Sequence, residues 1–411
     1  MKLRRSKMEF KIPKEILPME GFSNQIDKLF VRMIQLEVEE SVWLLVSIDI
    51  TSLKETFIDS LRKLIANRCN IDIDNIWISV THTFSVPHIS SDFSKDNKQA
   101  EKSRLLFASL MVAVENAIEQ LHENYIEVTP FFAKGNTQLG LNRNLWTNSG
   151  WWLGPNESGK VASEINSIVF KDAENRIQGR IVQVSIPSSI TQDVNKHTGK
   201  PISGDLFGQT ASLLEADETV CILLLGQAAD QMPRDKIVYE TVDKEGQRIE
   251  VDRSEMAEKV LAETSNRLKE DIQKIDEHLN NVDERLNIHT YSFQCNQQYI
   301  PRLSELKPDT RYQFKNIEDK KDFPVFQVKI GDLNIIGIQA EIPACFKENI
   351  SFFEQELMIA TMINGGAKYL VPKEWYHARK YQAMNSFYAE GSYEKIILGI
   401  QSILNESRER K

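Results

Sequence analysis

Two short runs constrain the fold of this chain more than anything else in it. Val42-Trp43-Leu44-Leu45-Val46-Ser47-Ile48-Asp49-Ile50 and Thr219-Val220-Cys221-Ile222-Leu223-Leu224-Leu225 are almost wholly apolar. Such runs read as strands covered on both faces, because a strand with one wet face would alternate with polar residues. A sheet covered twice needs other layers above and below it, and the rest of the sequence supplies them. Helical spacing of apolar residues runs over 53–67, 102–125, 208–214, 352–363 and 392–404, with Leu106, Leu110, Ala113, Ala117 and Leu121 on one face of the second. Further strands are expected over 29–36, Ile76–Val80, 165–170 with 180–186, and 325–330 with 333–340, the last two joined by the turn Gly331-Asp332. The fold class is α/β: mixed β-sheet layers flanked by helices in one large domain over 10–404. Residues 1–9 are expected to be disordered or loosely held, and 405–411 to form a polar tail.

Within the domain, 253–287 reads as one long amphipathic helix. Leu261, Leu268, Ile272, Ile275, Leu279, Val282 and Leu286 fall at three- and four-residue steps with charged flanks. The stripe either packs on the body of the domain or joins two copies as a homo-oligomer.

Charge and composition remove several function classes. With 50 Lys+Arg against 59 Asp+Glu, the net charge of −9 offers no general attraction to nucleic acid or anionic lipid. No apolar run approaches the roughly 18 residues that make a membrane-spanning helix, so no integral membrane segment is expected. The basic start Met1-Lys2-Leu3-Arg4-Arg5-Ser6-Lys7 is followed by Met8-Glu9-Phe10-Lys11 without an apolar stretch, which points away from secretion and towards the cytoplasm. Cys69, Cys221, Cys295 and Cys345 are far apart with no Cys-x-x-Cys pair, so neither a zinc–thiolate site nor a disulfide framework is indicated.

Residues suited to chemistry gather after the apolar strands. Ile78-Ser79-Val80-Thr81-His82 ends a strand on a histidine, which on such a rigid base can take a metal or a proton near neutral pH. The plain alternative is a buried histidine bonded to backbone. Arg143, in Leu141-Asn142-Arg143-Asn144, can bind a carboxylate or oxyanion or lie on the surface. Trp146, Trp151 and Trp152, among Gly150, Gly154, Pro155 and Gly159, form either a pocket wall or a small satellite core. Asp49 reads as a brace or cap for the helix after it.

The order of these features resembles the neutral/alkaline ceramidase family. Thr81-His82-Thr83-Phe84-Ser85-Val86-Pro87 is similar to its Thr-His-Thr-His-Ser-Gly-Pro motif, and Gly226-Gln227-Ala228-Ala229-Asp230-Gln231-Met232-Pro233 to its Gly-Ala-Ala-Gly-Asp-x-x-Pro. Glu341-Ile342-Pro343, Asn364-Gly365 through Tyr369-Leu370-Val371-Pro372, and Tyr381-Gln382-Ala383 follow in the family's order. The resemblance implies zinc held by His82, Glu341 and Tyr381, with Arg143, Asp230 and Tyr369 as catalytic neighbours. It implies a divergent zinc-dependent hydrolase of an amide or related acyl bond, with a small-molecule or N-acyl substrate. Three positions depart from the pattern: Ile186 stands where the family has a second zinc histidine, Phe84 where it has another histidine, and Met232 where it has the active-site serine. His197, on the loop that follows, is the candidate substitute ligand. Metal-free chemistry by the same residues and a non-catalytic ligand-binding or scaffold role stay open beside the hydrolase reading.

Overall fold

Alternate side chains of the Ser41–Ile48 strand enter two different cores, as its apolar run requires. Trp43 and Leu45 point one way and Leu44, Val46 and Ile48 the other, all without solvent contact. The Val220–Leu225 strand divides in the same manner, Ile222 and Leu224 against Cys221, Leu223 and Leu225. These elements belong to a computed structural model that describes residues 1–89, 98–122, 125–215, 219–350 and 356–409.

Each of the two strands lies in its own five-stranded sheet. The first runs in the order Ile76–Val80, Ser41–Ile48, Leu29–Val38, Lys2–Phe10, Ile126–Glu127, and only its first pair is parallel. The second runs Val220–Leu225, Ile177–Val184, Glu164–Lys171, Thr129–Asn136, Asn280–Asn281, again with only the first pair parallel. A parallel pair needs a crossover, and in each sheet a helix makes it: Glu55–Cys69 in the first and Asp205–Leu214 in the second. The inner faces meet through Leu3, Ile34, Trp43, Trp77, Phe170 and Ile222. Helices Glu55–Cys69 and Lys98–Leu121 cover the outer face of one sheet, and Asp205–Leu214 with Ala257–Ile275 that of the other.

A third sheet closes the side of this sandwich. Its strands Leu286–Gln298, Asn316–Ile330, Leu333–Ile338 and Leu357–Ala360 send Phe326, Val328, Ile335 and Met358 into the shared core. Its other face packs on the Ser392–Glu409 helix through Ile396, Ile400 and Leu404. Trp77 sits at the three-way junction, 5.3 Å from the ring of Trp43 and 6.1 Å from that of Phe326. Gly337 makes room for it, since a Cβ there would lie 2.9 Å from the Trp77 ring.

Several expectations need correction. Residues 1–9 are not loosely held: Lys2–Phe10 pairs along its whole length with Leu29–Val38, because Leu3, Ser6 and Phe10 face inward while its charges face out. The helix expected over 253–287 ends at Ile275, and the chain passes through a short turn into Asn280–Asn281 and Leu286–Gln298. Leu261, Leu268 and Ile272 are buried in the domain's own core. The segment read as a helix over 352–363 contains the strand Leu357–Ala360, while 351–355 lie outside the described residues. The helix expected at 102–125 is Lys98–Leu121, and most of the polar tail continues the last helix to Glu409, with 410–411 outside the described residues.

Asp49 braces a strand, not the following helix. Its Oδ2 accepts bonds from Arg32 Nη1 at 2.9 Å and Phe30 N at 2.8 Å, and Arg32 Nε donates to Glu215 Oε1 at 2.9 Å. Lys7 pairs with the same Glu215. Arg32 is 1% exposed and Asp49 fully buried, so the guanidinium balances two carboxylates away from water. Removing one partner of such a group leaves uncompensated buried charge. Arg32→Ala is therefore expected to cost about 3–5 kcal/mol in urea unfolding; a loss under about 1 kcal/mol would mean that both carboxylates find other partners or become protonated.

Candidate functional site

Four strands end at one place in the fold. Ser41–Ile48, Ile76–Val80, Val220–Leu225 and Leu333–Ile338 run on into segments 49–51, 81–88, 226–230 and 339–345. The segment after Leu357–Ala360 ties these ends together, with Thr361 N bonded to Leu225 O, Ile363 N to Ile338 O and Asn364 N to Ile78 O at 2.7–3.0 Å. Ala229 N donates to Ile342 O at 3.0 Å, joining the 226–230 and 339–345 segments directly. Loops held this way carry side chains on a stiff base.

His82 is the first of them. Its φ of 55° is in the left-handed region, a conformation that a non-glycine residue keeps only when its surroundings fix it. Nδ1 lies 2.6 Å from Thr51 O. A carbonyl can only accept, so Nδ1 carries the proton there. The other ring nitrogen, Nε2, is buried with no hydrogen-bond partner among the described residues and points towards Glu341 Oε1, 3.5 Å away. The Phe84 ring stands edge-on to the imidazole at 4.7 Å.

Glu341 has almost no contact with water. It is fixed by bonds from its own N to Lys368 O and from Leu370 N to its O, at 2.7 and 2.9 Å. Burial alone pushes its carboxyl pKa up, but His82, Arg143 and Lys368 outweigh this and hold it below the usual carboxylate range. Arg143 Nη2 lies 4.0 Å from Glu341 Oε2 and donates to Tyr369 Oη at 3.1 Å, while Nε and Nη2 both donate to Ala229 O. Burial and the Glu341 charge push the Tyr369 hydroxyl well above its ordinary pKa, against the pull of Arg143. Tyr369 is therefore a neutral phenol that accepts from Arg143 and keeps its own proton to donate. Tyr381 accepts from Asn385 Nδ2 at 3.0 Å; its ring lies 6.0 Å from that of Tyr369 and 5.2 Å from that of Trp152. Burial raises its pKa as well, with Arg143 opposing and Glu341 adding to the rise.

The structure thus brings His82, Glu341, Arg143, Tyr369 and Tyr381 together, and it does not bring His197 to them. His197 is exposed on a loop held elsewhere, with Lys196 paired to Glu250 and Asn195 N bonded to Ser254 Oγ. Among the described residues no three His, Cys, Asp or Glu side chains gather closely enough to share an ion. Asp230 is held firmly among neighbouring segments. Its carboxylate accepts from Gln231 Nε2, Ala344 N and Asn142 Nδ2, and its carbonyl from Arg143 N, so that it pins three segments at once. Ile186 has no solvent contact; a Cβ on Gly140 would lie 3.3 Å from its Cγ1 and 3.6 Å from Val161 Cγ1. Met232 pairs with Leu141 across a short antiparallel ladder and is nearly buried.

Two lysines escaped sequence reasoning, since nothing in their local sequence marks them. The charge of Lys368 acts on Glu341 although burial pushes its amine pKa down. Lys236 donates to Ser189 O at 3.2 Å and to Gln192 Oε1 at 2.6 Å. Burial pushes it down to about 8, against Asp193 and Asp205, with Arg143 adding to the fall.

The fold these elements build is that of the neutral ceramidases. Two solved structures carry the comparison: a ceramidase described as complexed with C2, and the neutral ceramidase from Pseudomonas aeruginosa. Each matches this chain over its whole length with a TM-score of 0.75 and 14% identity, over 75% and 74% of the respective ceramidase chain. No protein-family model matches the sequence, and no curated protein matches it by sequence. The likeness is one of fold.

Lys236 yields a signed expectation. The folded chain holds this proton less tightly than the unfolded chain, so this group's contribution to stability rises with pH between about 8 and the ordinary lysine value near 10.5. Melting temperatures measured across that interval should change with pH more favourably in the parent than in Lys236→Met, the difference between the two profiles being this group's contribution. Identical profiles for parent and variant would show that the amine is not desolvated.

Proposed function

We propose that the chain is a divergent zinc-dependent hydrolase of an amide or related acyl bond in a small N-acyl substrate, working in the cytoplasm. One observation carries this reading: His82 has one ring nitrogen anchored on a carbonyl and the other buried, unpartnered and aimed at an ionised carboxylate. Metal-bound histidines are oriented in this way, by a hydrogen bond from the nitrogen that does not bind. An ion there would take one nitrogen from His82, one oxygen from Glu341 and, for want of a second histidine, the phenol oxygen of Tyr381. Three protein donors with an open position suit a hydrolytic site.

A zinc ion held there would supply acidified water and polarise an acyl carbonyl. The chain's own groups do the rest. Tyr369, neutral and with a proton to give, donates to the oxygen on which charge develops. Arg143 orients that hydroxyl and balances the charge. Asp230 keeps Arg143 and the 341–344 turn in register. The four free cysteines fit a reducing compartment, and among the described residues no helix is long and apolar enough to cross a membrane.

A second reading has its own support. His82, Arg143 and Lys368 already hold Glu341 ionised without an ion, and Phe84 and Met232 are apolar where the resemblance expects polar groups. Both features suit metal-free ligand binding. Elemental analysis separates the two. The hydrolase reading expects stoichiometric zinc in the purified chain and its loss in His82→Ala; no metal after incubation with zinc overturns that reading and leaves the binding one.

Hydrolysis of N-acyl substrates gives a further expectation. Tyr369→Phe removes one donor to the developing oxyanion and should lower kcat on the order of a hundredfold with little change in KM. An unchanged kcat would remove Tyr369 from the reaction.

A further inference from the structure

Beside Tyr381 the chain holds a cation without a counterion. Lys380 immediately precedes Tyr381, and its ammonium lies 4.9 Å from the ring centre of Trp151 and 4.2 Å from that of Trp375. Among the described residues its ammonium has no hydrogen bond and no ion pair. The carboxylate that acts on it through space is Asp230, whose oxygens are occupied by Gln231, Asn142 and Ala344. Two aromatic faces attract an ammonium ion, but they cannot accept hydrogen bonds from it as water or a carboxylate does. The surroundings are built rather than accidental. Trp151 and Trp152 are neighbours on the Gly150–Asn156 strand, one on Lys380 and the other edge-on to Tyr381. Trp146, on the paired strand, stacks edge-to-face on Trp151 at 5.3 Å and is 56% exposed. The only other cation on these rings, among the described residues, is Arg248 over Trp152, and Glu240 already neutralises it.

We propose that this is a substrate subsite for an anionic group: Lys380 binds the carboxylate of an N-acyl amino acid, while Trp146 and Trp151 cover the adjoining apolar chain. The assignment rests on the site described above being where substrate binds, and it narrows the substrate to acyl amides that carry a negative charge. Lysine serves here as a point charge with three donors, and the tryptophans exclude water from one side of the contact. A neutral acyl amide of equal length gains the apolar contact and leaves the ammonium unanswered.

Binding to the full-length chain tests this, read by tryptophan fluorescence with N-lauroylglycine and its neutral counterpart N-lauroylglycinamide as probes. The carboxylate probe is expected to bind roughly tenfold tighter, the scale of a charge-assisted hydrogen bond. Lys380→Met should shrink the gap between the probes to under about threefold, while Lys380→Arg, which restores the charge, keeps it. Trp146→Ala should weaken both probes alike. Equal affinities in the parent, no binding of either probe, or a preference that survives Lys380→Met would each overturn the proposal. Circular dichroism of each variant confirms that it is folded. The readout is binding alone, so a chain without zinc can still support this subsite, and a zinc hydrolase with no carboxylate preference would refute it.

Discussion

Double burial of two sheets decides where this chain can act. With helices on both outer faces and a shared core between the inner ones, most of the strand surface of these two sheets is covered. What stays available is the ends of the strands, and four of them finish together. The parallel pairs bring this about. In each of the two main sheets a helix crossover returns the chain to run alongside the strand it left, so that both strands of the pair end at the same edge. Chemistry gathered at 82, 226–230 and 341 follows from topology before any side chain is considered.

At that edge the governing problem is one of charge. Glu341 is a carboxylate cut off from water, and it stays ionised only because His82, Arg143 and Lys368 surround it. Arg143 is itself fixed by two bonds to Ala229 O and one to Tyr369 Oη, so the cation cannot drift from its post. Asp230, one residue further on, ties that arrangement to the 341–344 turn and to Asn142. The groups are arranged before any ligand arrives, which is the condition for electrostatics to act on a reaction rather than to respond to it.

Much of this was legible in the sequence, for reasons that differ from element to element. The two apolar runs announced strands covered on both sides because nothing else accommodates that pattern. His82, Glu341, Arg143, Tyr369 and Tyr381 were found through motif resemblance, and the fold does bring them together. Local pattern failed where long-range pairing decided the outcome. Lys2–Phe10 looks like a charged tail until Leu29–Val38 lies beside it. The stripe from Leu261 to Leu286 keeps helical spacing past Ile275, yet Asn280–Asn281 and Leu286–Gln298 are drawn into two sheets. What Asp230 and Asp49 touch depends on segments far away in sequence. Lys236, Lys368 and Lys380 gave no signal at all, since a lysine's role here is set by burial and by neighbours.

Ile186 has a consequence for any attempt to install a ligand there. It occupies the position that the resemblance pairs with a ligand histidine, and it lies in the apolar core with Gly140 close against it. Writing histidine there would put a polar imidazole into that packing, and a ring nitrogen left without a partner would cost about 1–3 kcal/mol. Installing a histidine at 186 therefore asks for more than one change, because the close packing of Gly140 on this side chain must be recut with it.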